Sequence, residues 1–191
     1  MLQYLPKFVG RAMRGKRPGL EKLAVNRPEV SNAPASIEVK SPAFGDGGTI
    51  PAKYSADGDG SSPPLEWHGV PSRASSLVLM VEDADSPTGE PLVHAIVPVL
   101  PRGDGTLPEG ALPKNAVEGP PRVMGRNSFL KQAYAPPDPP PGHGPHRYAF
   151  EVFALDDAPA LSRTPNRSAI LDMMRGRVLA KGCLIGTYER A

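Results

Sequence analysis

The sequence predicts a mainly β fold, either a sandwich or a partly closed barrel. Several short apolar runs have the length and alternation of strands, and turn residues bound each of them. The 25 prolines and 20 glycines lie between these runs rather than in one tract, as is typical of a turn-rich β protein. In the body of the chain, helical spacing occurs in one late stretch. The apolar runs are residues 37–39, 65–67, 76–81, 92–99, 148–155 and 183–188.

The individual elements differ in how strongly they are indicated. Residues 76–81 and 92–99 are apolar enough to be buried strands, whereas residues 101–121 are rich in glycine and proline and are expected to be coil. A helix is expected from about 165 to 181, and Gly182 can end it. The apolar face of that helix would be formed by Ile170, Leu171, Met174, Val178 and Leu179.

The first 35 residues are predicted to form a basic extension and linker, followed by one domain at 36–191. Residues 1–27 hold seven of the 22 basic side chains and one of the 20 acidic ones, which leaves 15 basic and 19 acidic groups elsewhere. A net acidic body is not expected to bind nucleic acid. Apolar residues at helical spacing predict a short basic helix at residues 5–13. It could dock on its own body or on the second copy in a homodimer, touch an anionic membrane peripherally, or be disordered.

Other features narrow the class of protein. The N-terminus lacks the uninterrupted apolar segment of a signal peptide, and no run approaches the ~18 apolar residues that span a bilayer. We therefore expect a cytoplasmic protein. Cys183 is the single cysteine, so an intrachain disulfide and a cysteine-based zinc site are excluded. We expect no cofactor.

Acidic and histidine side chains cluster at the ends of the predicted strands. Asp83 and Asp85 follow one strand, His94 lies within the next, and His146 precedes a third. The loop 136–141 contains five prolines, each of which fixes φ, so it can hold the following residues stiffly at the mouth of a β structure. The pattern indicates a pocket that several strands build together.

Each of these residues also has an ordinary structural explanation. The two aspartates can accept hydrogen bonds from the backbone amides of their own turn. His94 stands in an apolar run, where a histidine is more often a hydrogen-bonded core residue, and His143 is expected to be an exposed loop residue. His146 beside Arg147 is more suggestive, because an imidazole can donate to a phosphate or carboxylate.

Five short motifs follow one another in an order that is typical of one known family. They are Ser62-Pro-Pro-Leu-Glu-Trp67, Asp83-Ala-Asp-Ser-Pro87, Val93-His94, Gly142-His-Gly-Pro-His-Arg-Tyr148 and Gly186-Thr-Tyr188. The second resembles the Asp-Pro-Asp-Ala-Pro motif, and the fourth the Gly-x-His-Arg-Tyr motif, of the phosphatidylethanolamine-binding protein family, which includes the Raf kinase inhibitor proteins. The likeness is closest to the bacterial branch and covers residues 36–191. It implies a large antiparallel sheet packed on a smaller one, with a C-terminal helix.

The resemblance also implies a small pocket that binds anions such as phosphate, acetate or phospholipid headgroups. By motif position, Ser86–Pro87 would be a cis peptide bond. The pocket residues implied in the same way are Asp83, His94, His146 and Tyr148, with Tyr134, Pro139 and Pro140 at the rim and Asp85, Pro87 and Arg147 as structural support.

Two positions depart from the family pattern. The family usually has a glycine two residues after the tyrosine of the pocket loop, where this chain has Pro136, which lacks an N–H that could touch an anion. Asp138 takes a position that is often small or cysteine, and its negative charge would weaken anion binding if it pointed inward. Asp83, in turn, could hold a histidine protonated and so favour binding at mildly acid pH.

Three functions follow, in decreasing order of support. The first is a non-enzymatic protein that binds a small anionic ligand, namely a phosphate- or carboxylate-bearing lipid headgroup, metabolite or phosphorylated partner. The second is a regulatory interaction protein resembling a kinase or protease inhibitor, with the stiff rim 136–141 as its contact surface. The third is a hydrolase that uses Asp83 with His94 or His146, but no activated nucleophile is apparent. Two histidines and one aspartate could also bind zinc, although we expect neither catalytic residues nor a metal.

Overall fold

The computed structural model describes residues 6–115, 124–157 and 164–190. Four strands form one antiparallel sheet, in the order β4 (Leu92–Leu100), β3 (Ser76–Asp83), β6 (His146–Leu155) and β7 (Val178–Tyr188). Three short strands form a second sheet, in the order β1 (Glu38–Lys40), β2 (Leu65–His68) and β5 (Gly105–Leu107). The prediction of a mainly β fold, with a larger antiparallel sheet on a smaller one and a late helix, is confirmed. The α-helices of the described ranges are α1 (Lys7–Met13) and α2 (Arg167–Met174).

The large sheet is covered on both faces, so its central strand β3 is buried along its whole length. Alternate residues point to opposite faces. Leu79 belongs to the cluster shared with the small sheet, whereas Val78 and Met80 belong to the cluster with α2. Full burial of one such aliphatic side chain contributes about 1.5–3 kcal/mol. The core therefore has two layers, one on each side of the large sheet.

The N-terminal segment forms part of the second layer and docks on its own body. Residues 20–30 form three 3₁₀ turns, and Leu23 and Val30 are buried against the large sheet. Further upstream, the Arg14 side chain donates to the Gly142 carbonyl at 2.7 Å. The residues expected to form an extension and linker thus cover one face of the sheet.

Three expectations about local structure are wrong. The late helix ends at Met174, because Gly176 turns the chain with a positive φ and Val178 already begins β7, which pairs with β6. The stretch expected to be coil contains β5, which pairs with β2. Within the described ranges there is no cis peptide bond, so Ser86–Pro87 is trans. The turn there is closed instead by hydrogen bonds of its own backbone and side chains.

The helices of the described ranges are short. α1 has 7 residues and α2 has 8. Neither these nor any other described helix is long and apolar enough to cross a membrane.

Candidate ligand-binding site

Antiparallel pairing gathers four of the expected pocket residues at one end of the large sheet. Asp83 ends β3 and lies opposite Tyr148 on β6 and opposite Leu92 on β4. His94 is two residues further along β4, and His146 begins β6. The side chains of Asp83, His94, His146 and Tyr148 are all buried.

Asp85 and Arg147 lock the start of β6 to the turn after β3. The Asp85 carboxylate accepts hydrogen bonds from the Arg147 backbone N–H and from its guanidinium at 2.7–2.9 Å. Arg17, from the N-terminal segment, makes an ion pair with the same carboxylate at 3.1 Å. Burial opposes ionisation, but the two guanidiniums outweigh it, so the pKa of Asp85 lies below its usual value. Asp85 and Arg147 thus position the neighbouring His146.

Three hydrogen bonds connect the N-terminal segment to Asp83 through two imidazoles. Asp83 Oδ2 lies 2.8 Å from His146 Nδ1, and His146 Nε2 lies 2.7 Å from His143 Nδ1. His143 Nε2 in turn lies 2.9 Å from the Met13 carbonyl oxygen at the end of α1. The other Asp83 oxygen accepts from the Asp85 backbone N–H at 2.8 Å. His143 was expected to be exposed and is in fact fully buried, because the N-terminal segment covers it.

The direction of these bonds determines how many protons the chain of groups holds. The Met13 carbonyl can only accept, so His143 Nε2 carries a proton and His143 Nδ1 accepts from His146 Nε2. Burial lowers the pKa of His143, which keeps this imidazole neutral. The remaining bond, between His146 Nδ1 and Asp83, then needs one further proton. That proton lies between His146 Nδ1 and Asp83 Oδ2, so both ring nitrogens of His146 are engaged.

His94 differs from His143 and His146 in having one ring nitrogen without a hydrogen-bond partner among the described residues. Its Nδ1 lies 2.7 Å from the Ala135 carbonyl oxygen, which can only accept, so Nδ1 carries the proton. Burial lowers the pKa of His94, although Asp83 opposes this shift, and the ring is therefore neutral. Its Nε2 presents a lone pair, and no described residue donates to it.

Two tyrosine hydroxyls resemble His94 Nε2 in lacking a described hydrogen-bond partner. Within the described part of the chain, neither Tyr134 Oη nor Tyr148 Oη has a hydrogen-bond partner, and both are buried. Burial raises the pKa of both phenols, and for Tyr148 the Asp83 charge adds to the rise. We call His94 Nε2, Tyr134 Oη and Tyr148 Oη the open polar group. Buried polar atoms are rarely left unpaired, so the open polar group is the candidate contact point for a ligand.

A cavity of about 600 Å³ lies beside the open polar group. Its wall includes Tyr134, the Ala135 that accepts from His94, and Phe129, whose ring centroid is 6.0 Å from that of His94. Lys131 and Pro136 also line it. The cavity thus has an aromatic wall, two lysines (Lys114 and Lys131) and two aspartates (Asp59 and Asp138).

Of the residues expected near the rim, Asp138 faces the cavity, whereas Pro139 and Pro140 are buried. Asp138 lines the cavity, but its carboxylate is paired with Arg190 at 2.6 Å, so its charge is compensated. Pro139 and Pro140 are buried, and their carbonyls accept from Arg190 and from the His143 N–H.

Sequence reasoning missed three contributors to this region. Arg17 and Arg190 come from opposite ends of the chain and reach Asp85 and Asp138, respectively. Their partners are distant in sequence, so no local pattern indicates them. His143 could have been found from its spacing, since two histidines three residues apart flank a Gly-Pro turn.

Comparison with known proteins agrees with the family resemblance of the sequence motifs. A family model described as phosphatidylethanolamine-binding protein matches residues 40–189. UPF0098 proteins of Pyrococcus horikoshii and Methanothermobacter thermautotrophicus are 38% and 36% identical to this chain. The aligned parts cover 81% of this chain in each case, and 77% and 99% of the respective relative.

Solved structures agree with the sequence relatives. A putative phosphatidylethanolamine-binding protein homologue from Chlamydia trachomatis superimposes with a TM-score of 0.69 at 36% identity, covering 84% of this chain and all of that one. Escherichia coli YbcL, described as a member of the mammalian family, gives a TM-score of 0.73 at 28% identity, covering 82% of this chain and all of that one. With the two-sheet fold and the Asp83, His94 and His146 arrangement, these matches show that the chain belongs to the phosphatidylethanolamine-binding protein family.

Proposed function

We propose that this chain is a non-enzymatic binding protein whose pocket takes a small phosphate- or carboxylate-bearing group. The observation that carries the proposal is the open polar group behind the wall of the cavity. Its two tyrosine hydroxyls can donate to ligand oxygens in a buried setting, where hydrogen bonds to a charged group contribute about 1.5–3 kcal/mol. Lys131 adds a positive charge at the wall.

The same geometry argues against hydrolysis. Both ring nitrogens of His146 are engaged, by Asp83 and by His143, so neither can act as a base toward a substrate. His94 Nε2 keeps a lone pair, but its Nδ1 bonds to the Ala135 carbonyl and not to Asp83, so Asp83 does not orient it as a base. Burial raises the pKa of the Cys183 thiol well above its usual value, which disfavours the reactive thiolate. Proteins of this family are in general non-catalytic binders. Binding therefore accounts for the site better than catalysis does.

Isothermal titration calorimetry with inorganic phosphate and phosphorylethanolamine tests the proposal. We expect saturable heat at millimolar ligand and weaker binding by Tyr134→Phe, which removes one hydroxyl of the open polar group. Tyr54→Phe is a matched control, because that hydroxyl lies elsewhere and bonds to Glu109. Absence of saturable heat at about pH 6 and about pH 7.5, on either side of a typical histidine pKa, would refute the proposal.

A second candidate, a regulatory interaction protein, is favoured by the loop beside the cavity. Leu130 is 78% exposed and has a φ of 62°, an unusual conformation for leucine. Asn127 holds the loop in this shape, because its side chain accepts from the Phe129 and Lys131 amides. A partner captured from extract by the wild type but not by Leu130→Asp would support this role, and equal capture by both proteins would count against it.

A further inference from the structure

We propose that residues 22–30 form a strap that the large sheet releases when Glu151 loses its proton. The strap lies on the face of the large sheet that also carries α2, and none of its residues lines the cavity beside the open polar group. Leu23 and Val30 anchor it, because both are buried in the apolar cluster that contains Val78. Release of the strap would expose this apolar face to water.

Four charged side chains of the body hold the strap through its backbone. They are Glu82 on β3, Glu151 on β6, Lys181 on β7 and Arg167 on α2. The strap amides donate to the two carboxyl groups, at 2.7 Å from Ala24 to Glu82 and at 2.8 Å from Val25 to Glu151. The two cations donate to strap carbonyls at 2.5–3.1 Å. The attachment of the strap therefore depends on the protonation of these side chains.

The two carboxyl groups differ in how their oxygens are used. Both side chains are fully buried. Glu82 is paired with Arg167 at 2.6 Å and uses its second oxygen for the Ala24 amide. Glu151 uses one oxygen for the Val25 amide, and no described donor reaches the other, Oε2. The side chain that can hydrogen-bond to Glu151 is Glu82. A proton on Glu151 Oε2 thus removes the repulsion between two buried carboxylates and gives Glu82 a further hydrogen bond.

The charged groups around Glu151 leave it in the protonated form. Burial raises the pKa of Glu151 well above its usual value and the Glu82 charge adds to the rise, whereas the strap amide and the Arg167 charge oppose it. Burial lowers the pKa of Lys181, and the Glu151 charge opposes that shift. Burial raises the pKa of Cys183, which lies opposite Glu151 on β7, so this thiol keeps its proton. The remaining charges near the strap are paired at its rim, namely Lys22 and Arg167 with Glu90, and Arg27 and Arg175 with Glu29.

The sign of the pH dependence follows from this arrangement. In the released state Glu151 regains water and its usual pKa of 4.5, whereas in the docked state its pKa is raised. Between these two values, release of the strap sets one proton free. Docking is therefore strongest in acid and weakens as the pH rises toward the raised value. The loss of one proton per opening corresponds to a rise of up to about tenfold in the opening constant per pH unit.

Hydrogen exchange of the Val25 amide in the wild-type protein measures the opening of the strap. Exchange rates followed by NMR, divided by the intrinsic rates at each pH, give the opening constant. We expect this constant to rise by about tenfold or more between about pH 5.5 and about pH 8. The Leu79 amide lies in the central strand β3, and its opening constant should be about tenfold or more smaller at each pH, because that strand opens only when the domain unfolds.

Glu151→Gln is the matched variant. A glutamine carbonyl can accept from the Val25 amide while its NH₂ group donates to Glu82, so the variant reproduces the protonated state in shape and charge. Its opening constant should stay level over the same pH range and match the wild-type value in acid. Trypsin cleavage between Lys22 and Leu23 gives a second readout, because cleavage follows the open population. The ratio of wild-type to variant cleavage rates, which cancels the pH response of the protease, should rise with pH.

Three results would overturn the proposal. One is a wild-type opening constant for Val25 that stays level or falls as the pH rises. Another is an equally steep rise in Glu151→Gln, which would assign the titration to a different group. The third is an equal opening constant for Val25 and Leu79 in the wild type, which would mean that the strap leaves the sheet only when the whole domain unfolds. The first and third of these need no variant.

Discussion

Replacing His143 with alanine should destabilise the protein strongly although His143 lies in a loop. The side chain is fully buried and links His146 to the Met13 carbonyl of α1 through bonds of 2.7 and 2.9 Å. Its removal leaves a buried N–H on His146 without an acceptor, at a cost of about 1–3 kcal/mol. The Met13 carbonyl keeps the Lys16 backbone N–H as a donor at 2.8 Å and adds little to this cost. We therefore expect the free energy of unfolding to fall by about 2 kcal/mol.

Urea denaturation followed by fluorescence measures this change, because Trp67 is the single tryptophan and is buried in the folded state. His68→Ala is a matched control, since the His68 side chain is exposed and its contact with Asp104 is long, 3.6 Å. The control should change the free energy of unfolding by less than about 0.5 kcal/mol. If His143→Ala behaves like this control, the hydrogen-bonded chain from Met13 to Asp83 and the proton count derived from it are wrong.

Three further variants or conditions test other parts of the structure. Arg147→Ala leaves the buried Asp85 carboxylate with Arg17 as its remaining guanidinium partner. In urea denaturation the free energy of unfolding should fall by about 3 kcal/mol. A loss below about 1 kcal/mol would contradict the role of Arg147 as the main partner of Asp85. Gly10→Ala would press its methyl group into the backbone carbonyl of Pro141, so α1 should detach and be cut faster by trypsin. Gly15→Ala meets no described atom within 4 Å and should be cut like the wild type. Burial lowers the pKa of His94 on folding, so its contribution to stability is present above the unfolded pKa of 6.5 and is lost as pH falls below it. The unfolding free energy of the wild type minus that of His94→Phe, measured from about pH 8 to pH 5, should show this decline.

Part of the site could be predicted from sequence because its residues sit in strongly patterned strands. β3 and β4 consist mostly of apolar residues, so both strands, and with them Asp83 and His94, could be located along the chain. The His-Arg-Tyr motif likewise marks the start of β6. Antiparallel neighbours then bring such residues to one end of a sheet.

Other elements could not be predicted because their structure depends on partners far away in sequence. Val178 and Leu179 have helical spacing relative to α2, yet pairing with β6 draws them into a strand. His143 looks like a polar loop residue, but the N-terminal segment covers it. In both cases a tertiary contact outweighs a local preference of a few tenths of a kcal/mol per residue.

The sequence by itself determined the strand-rich fold, the large buried strands and the identity of most groups at the candidate site, because periodicity and turn residues are local properties. The tertiary structure alone decided how those groups are protonated and which of them are open. His146 is committed to Asp83 and His143, whereas His94 keeps a free lone pair. The reason is physical: a histidine's donors and acceptors are assigned by the atoms it faces, and here those atoms come from the N-terminal segment and from Ala135.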